Sequence, residues 1–172
     1  LEHHWDLAYG YYSFWKTLAQ SDGLPALKDC HLRIFRSFVK GRTFMETSRY
    51  DEMRLQADTI RQELSRVVAA RAMNLLVGPN TFANLKENPR RAFRLLSQAY
   101  GLIYAAQFAR NTQGKPFITN EETGNLLHEL EKNDGLWDKE RLLGREQTEG
   151  ALHNLATRIG KIFGVSLEDI KK

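Results

Sequence analysis

Large apolar residues recur every three or four positions along most of the chain, and they never alternate over a run long enough for a strand. The first run, from about Leu1 to Ser21, carries Trp5, Leu7, Tyr9, Tyr11, Tyr12, Phe14, Trp15 and Leu18 round most of its circumference. A helix apolar nearly all round is expected to lie buried among others. "SDGLP" breaks the chain, with Asp-Gly supplying a turn and Pro25 suiting the first turn of a new helix. The second helix is expected from about Pro25 to Lys40, bearing Leu27, Cys30, Ile34 and Phe38, and Gly41 is expected to stop it. The third, from about Ser48 to Leu76, has a bundle seam of Met53, Ala57, Ile60, Leu64 and Val67, and its next seam position is Arg71.

"VGPN" closes that helix, and Asn88 with Pro89 opens a fourth, which runs to about Asn111. Its broad apolar face comprises Leu95, Leu96, Ala99, Leu102, Ile103, Ala106 and Phe108. Thr119 and Glu122 form a capping-box pattern ahead of a short helix reaching about Lys132. A weaker helical stretch follows Trp137, a clearer one runs from about Gln147 to Phe163, and Ser166 to Asp169 reads as a last helix start. No internal repeat or low-complexity segment interrupts the series. The expected fold class is all-α: an antiparallel helix bundle of four main helices plus smaller C-terminal helices, in a single helical domain over residues 1–172.

Composition narrows the function classes. Hydrophobic residues at 42% are enough for an ordinary core in a chain of 172 residues. The net charge of +4 is mild, and its arginines are scattered among acids as on solvated helix faces. A nucleic-acid interface would gather them into a stripe, so none is expected. One cysteine, Cys30, excludes an internal disulfide and a cysteine-based zinc site. No stretch approaches the ~20 apolar residues of a membrane span, and no signal peptide is visible. Phosphate loops, nucleophile elbows and HExxH are missing as well. Cys30 and His31 are neighbours that point different ways on a helix, which argues against a nucleophile pair.

The candidate chemistry lies in the opening "LEHHWD". His3 and Asp6 are three apart and project from one helix face, where an imidazole and a carboxylate can grip one metal ion. Glu2 and His4 could add ligands or hydrogen bonds to them. A working site would need further ligands from another helix. The alternative is that Glu2 and Asp6 favour a helix N-terminus through its dipole while the histidines bond locally. Arg71, on the expected seam, needs a carboxylate such as Asp6 or Glu2, or else reaches water with a buried stem. Tyr9, Tyr11, Tyr12, Trp15, Phe35 and Tyr100 read as core, with a stacking platform for a planar ligand as the alternative.

"LEHHWDLAYGYYSF", "ELSRVVAARAMNLL", "AFRLLSQAYGLIYAAQFARN" and "IGKIFGVSLEDI" together resemble the DUF4856 family of bacterial lipoproteins with an imelysin-like fold. The resemblance spans essentially the whole chain, as the C-terminal part of a longer family protein. It implies a periplasmic or cell-surface lipoprotein linked to iron uptake, whose ligand is a divalent or iron metal ion or another small ligand, with a cell-envelope protein as a further partner. The wider group's hallmark is Gly-x-His-x-x-Glu. Here His3 matches, Asp6 replaces the Glu and Leu1 the Gly. Relatives tend to carry His and Glu four apart in the fourth helix, where this chain has Arg94 and Gln98. An arginine repels a metal, so facing helices would turn the site into an arginine–carboxylate cluster.

Two readings follow: a secreted binding protein taking metal or an iron-bearing ligand at His3 and Asp6, or a partner-binding bundle whose cluster is paired to Arg71 or Arg94. A peptidase, assigned to some imelysin-like proteins, would need a catalytic set that these residues do not complete.

Overall fold

The computed structural model describes residues 2–20, 23–145 and 148–170. Among these, eight α-helices succeed one another: α1 (Glu2–Ala19), α2 (Cys30–Glu46), α3 (Tyr50–Val77), α4 (Pro79–Glu87), α5 (Pro89–Ala106), α6 (Asn120–Glu131), α7 (Lys139–Leu143) and α8 (Ala151–Phe163). Short 3₁₀ turns cover Pro25–Leu27 and Gly135–Trp137. The described residues contain no strand, only an isolated bridge between Arg110 and Pro116. The all-α bundle expected from periodicity is therefore present.

α3 is its axis. From Val67 to Val77 nearly every side chain is buried, including Val67, Val68, Ala69, Ala70, Ala72, Met73 and Leu76. Helices α2, α5 and α8 pack around it. Its alanines let those neighbours approach closely, and α8 comes in at Gly160, against Met73. Asn88 caps α5 by accepting a bond from the Arg91 amide at 3.2 Å, with Pro89 in the first turn. The capping box of α6 is complete: the Thr119 amide donates to Glu122 Oε2 at 2.9 Å, and the Glu122 amide to Thr119 Oγ1 at 3.1 Å. Arg141 ties the C-terminal elements together by donating to the carbonyls of Glu129, Leu130 and Gly135.

The structure departs from the sequence reading in several places. Helix α4 was not expected, because Gly78-Pro79 looked like a stop and instead redirects the chain into a new helix. α5 ends at Ala106, and the chain turns into the bridge at Arg110. The expected start of the last long helix at Gln147 lies outside the described residues, and α8 runs from Ala151. Ser166 to Asp169 forms a turn, in which the Glu168 amide donates to Ser166 Oγ.

The other two departures concern α1. Gly41 does not end a helix. It lies inside α2, beneath the Trp5 indole, and a Cβ there would sit 2.0 Å from Trp5 Cζ2. The missing side chain is what seats the indole, whose Nε1 donates to the Phe38 carbonyl at 3.0 Å. Nor is α1 buried all round. Only Tyr12 and Ala19 are fully enclosed, while Leu7, Tyr9, Tyr11, Phe14 and Leu18 are exposed. α1 packs mainly on α2 and α3 along one stripe, and the exposed residues stand on the opposite side.

A Gly41→Ala substitution is expected to expel the Trp5 indole and lower stability by about 2 kcal/mol, the scale of an overpacked core contact. A red shift of tryptophan emission together with a lower melting temperature checks it.

Candidate functional site

α1 and α2 run antiparallel, so the opening residues of α1 lie beside the last turns of α2. Phe38 is the hub of their contact, with ring centroids 5.6 Å from Trp5, 5.3 Å from Tyr9 and 5.6 Å from Tyr12. Trp5, Tyr9, Phe35, Phe38 and Val39 floor an open groove of about 510 Å³ whose polar end is formed by Asp6, Arg42, Thr43 and Glu46. Tyr9 and Phe35, read from sequence as core, are half-exposed on this floor, and Tyr11 is 69% exposed. They are surface aromatics because α1 has a neighbour on one side only.

Arg42 organises the polar end. Its guanidinium reaches Glu2 Oε2 at 3.2 Å, Asp6 Oδ2 at 3.3 Å and Glu46 Oε1 at 3.3 Å. Three carboxylates on one arginine leave this corner acidic in a chain that is basic overall. All four side chains are at least a third exposed, so each pair is worth only a few tenths of a kcal/mol to about 1 kcal/mol. Their joint effect is to fix where α1 starts on α2.

The sequence-derived site residues divide between several places. Glu2 and Asp6 meet at Arg42. His3 is exposed on the same turn, its ring 6.0 Å from that of His4. His4 turns toward α3, in a second groove of about 370 Å³ shared with Trp5, Ala8, Met53 and Ile60. Arg71 does not take Asp6 or Glu2. It donates through Nε to the Leu18 carbonyl at 2.9 Å and through Nη2 to the Gln20 carbonyl at 2.7 Å, closing the far end of α1. Those carbonyls are orphaned by helix termination, which is why a cation is drawn there.

Arg94 and Gln98 are exposed on α5 and are not brought to the opening helix. Ala105 and Phe108, at the end of α5, face Leu64, Ser65 and Val68 of α3. α5 runs antiparallel to α3, so Arg94 lies toward the α3 C-terminus, whereas Trp5 lies beside Ala57. At about 1.5 Å per residue this separates Arg94 from Asp6 by roughly 25 Å.

The metal implied by the imelysin-like resemblance meets an incomplete donor set here. One imidazole and one carboxylate share a helix face, and that carboxylate is already bonded to Arg42. Among the described residues no group of three or more His, Cys, Asp or Glu side chains could hold a metal ion.

A second polar link was not read from the sequence. Arg33 and Glu63 form a bidentate pair between α2 and α3 at 2.8 and 2.9 Å. Burial raises the Glu63 carboxyl's pKa, but the hydrogen bonds and charge of Arg33 outweigh it, and the net shift is downward. Beside it Cys30 is fully buried and pushed up to about 12, mainly by burial, so its thiol stays protonated and unreactive. Tyr12 is likewise pushed up to about 12 by burial, and its hydroxyl donates to the His31 carbonyl at 3.3 Å. Arg42 was missed too. Its signal in the sequence is the Arg42–Glu46 spacing of four beside a glycine in an otherwise helical run.

The family model of a domain of unknown function, DUF4856, matches residues 1–166. The chain belongs to the DUF4856 family. No curated protein matches it, and neither does any solved structure. In this DUF4856 chain no helix among the described residues is long and apolar enough to cross a membrane.

Glu63→Gln is expected to cost about 1.5 kcal/mol at neutral pH, the loss of a charge-assisted pair. The native carboxyl has the lower pKa, so its contribution is complete above the ordinary value of 4.5 and is lost as pH falls through the native value. Denaturant unfolding at several pH values should show the gap between wild type and variant closing below pH 4.5.

Proposed function

We propose that this DUF4856 chain is a non-catalytic binding module of the bacterial cell envelope, with α1 as its partner-binding helix. The observation that carries the reading is Arg42 holding Glu2 and Asp6 at 3.2 and 3.3 Å. The opening cluster then acts as an electrostatic clamp that sets α1 on α2, and the exposed apolar surface of α1 is what remains for a partner. The envelope location rests on the resemblance to imelysin-like lipoproteins.

A second reading has the exposed His3 and Asp6 taking a divalent or iron metal, in iron uptake, with Asp6 released from Arg42. Both side chains stand in solvent one turn apart, which favours it to that extent. The two readings part on elemental analysis of the purified protein, with His3→Ala and Arg42→Ala alongside. The clamp reading expects no stoichiometric transition metal in any form. It also expects a fall of about 1 kcal/mol, roughly 3 °C in melting temperature, for Arg42→Ala. A stoichiometric metal that His3→Ala loses would overturn it in favour of the metal reading.

A further inference from the structure

The outward half of α1 carries a pattern that the clamp does not use. Leu7, Tyr11, Phe14 and Leu18 are 45%, 69%, 78% and 38% exposed. At 100° per residue they form one straight stripe, on the side of the helix turned away from α2. The formal charges of α1, Glu2, Asp6 and Lys16, fall on the other half, with Trp5, Tyr9 and Tyr12, while His3 and His4 flank the first turn of the outward half. A helix face meant for water would carry charge there. Gly10 lies along the stripe one turn before Phe14, with open space where a side chain would stand, so another helix can come close.

The spacing of the stripe is four, three, four, and the outer residues are both leucine. Its spacing reads the same in either direction, with two aromatic residues between the leucines. A two-fold interface pairs residue i of each copy with residue j of the other, and this symmetric spacing brings like positions together in an antiparallel pair. We propose that two copies of this chain associate through α1, antiparallel, with Leu7 of one copy on Leu18 of the second and Tyr11 on Phe14. The proposal rests on the reading of α1 as the partner-binding helix and names the partner.

Charge supports the second copy over other occupants. An acidic or a basic partner gains nothing from an uncharged stripe, and a membrane surface is met by helices whose polar flank is rich in Lys and Arg. Two neutral stripes meet without repulsion. The exposed side-chain area of the four residues is on the order of 500 Å² per copy, which puts the pair near the lower bound of about 1,000 Å² for a specific interface. A weak dimer, with a Kd on the order of micromolar, is the corresponding expectation.

Sedimentation velocity of the full chain from about 1 to 200 μM tests it, a range that brackets such a Kd. The wild type is expected to pass from monomer to dimer. Phe14→Glu is expected to weaken association at least about tenfold, the effect of one buried charge at a small interface. Leu55→Glu, at a 63% exposed leucine on α3, should leave it unchanged. Unchanged helical circular dichroism in both variants shows that they fold. A chain monomeric throughout, or a dimer indifferent to Phe14→Glu, overturns the proposal. Binding of the apolar dye ANS separates that failure from failure of the broader reading. Dye bound by a monomeric wild type and lost in Phe14→Glu would keep α1 as a binding face with a different partner. Dye binding independent of Phe14 in a monomeric chain would remove both.

Discussion

Burial of the second half of α3 is the constraint on which the rest of this molecule depends. A helix whose residues from 67 to 77 are almost all apolar and enclosed cannot be stable alone, and it obliges α2, α5 and α8 to surround it. Alanines at 69, 70 and 72 set the short distances at which they do so. The requirement relaxes along the helix. Toward its N-terminus α3 is only half-buried, at Met53, Ala57 and Leu64, and there the covering element is α1. The bundle is thus closed at one end of its axis and thinly covered at the other.

α1 consequently has two unlike halves. One is fixed by specific contacts: the Trp5 indole over Gly41, Tyr12 against α2, the Arg42 clamp and Arg71 on the last carbonyls. The other is apolar and uncovered. The grooves on either side of α1 follow from the same geometry, since a helix lying on two others leaves a furrow along each flank. Of the residues that looked like metal ligands, Glu2 and Asp6 are bound to the cation of Arg42. Their separation from Arg94 and Gln98 is set by the antiparallel packing of α5 on α3.

Much of the fold was legible because caps and periodicity are local. Asn88, Pro89, Thr119 and Glu122 announce their helix ends through bonds spanning three residues. The failures arose where a distant residue decides. Gly41 reads as a stop until Trp5 is seen to occupy its side-chain space, and Gly78-Pro79 reads as a stop although it only bends the path into α4. Apolar content round α1 could not say how many neighbours it has. At the candidate site the clustering of Glu2, His3 and Asp6 on the opening turns was legible from helix spacing, whereas the carboxylates' partner Arg42 was not, since only the docking of α1 on α2 joins them. Arg33 and Glu63, thirty positions apart, were hidden for the same reason.

α1 is an outer helix, held on one stripe by its clamp, against an axis whose second half is enclosed by its neighbours. Hydrogen–deuterium exchange of the intact chain, resolved by helix and repeated at low and high protein concentration, tests it most directly. Slowest exchange is expected in the second half of α3, the fastest among the long helices in α1, and slower exchange of α1 at high concentration as its apolar stripe is covered. Exchange in α1 as slow as in the centre of α3, and independent of concentration, would contradict it.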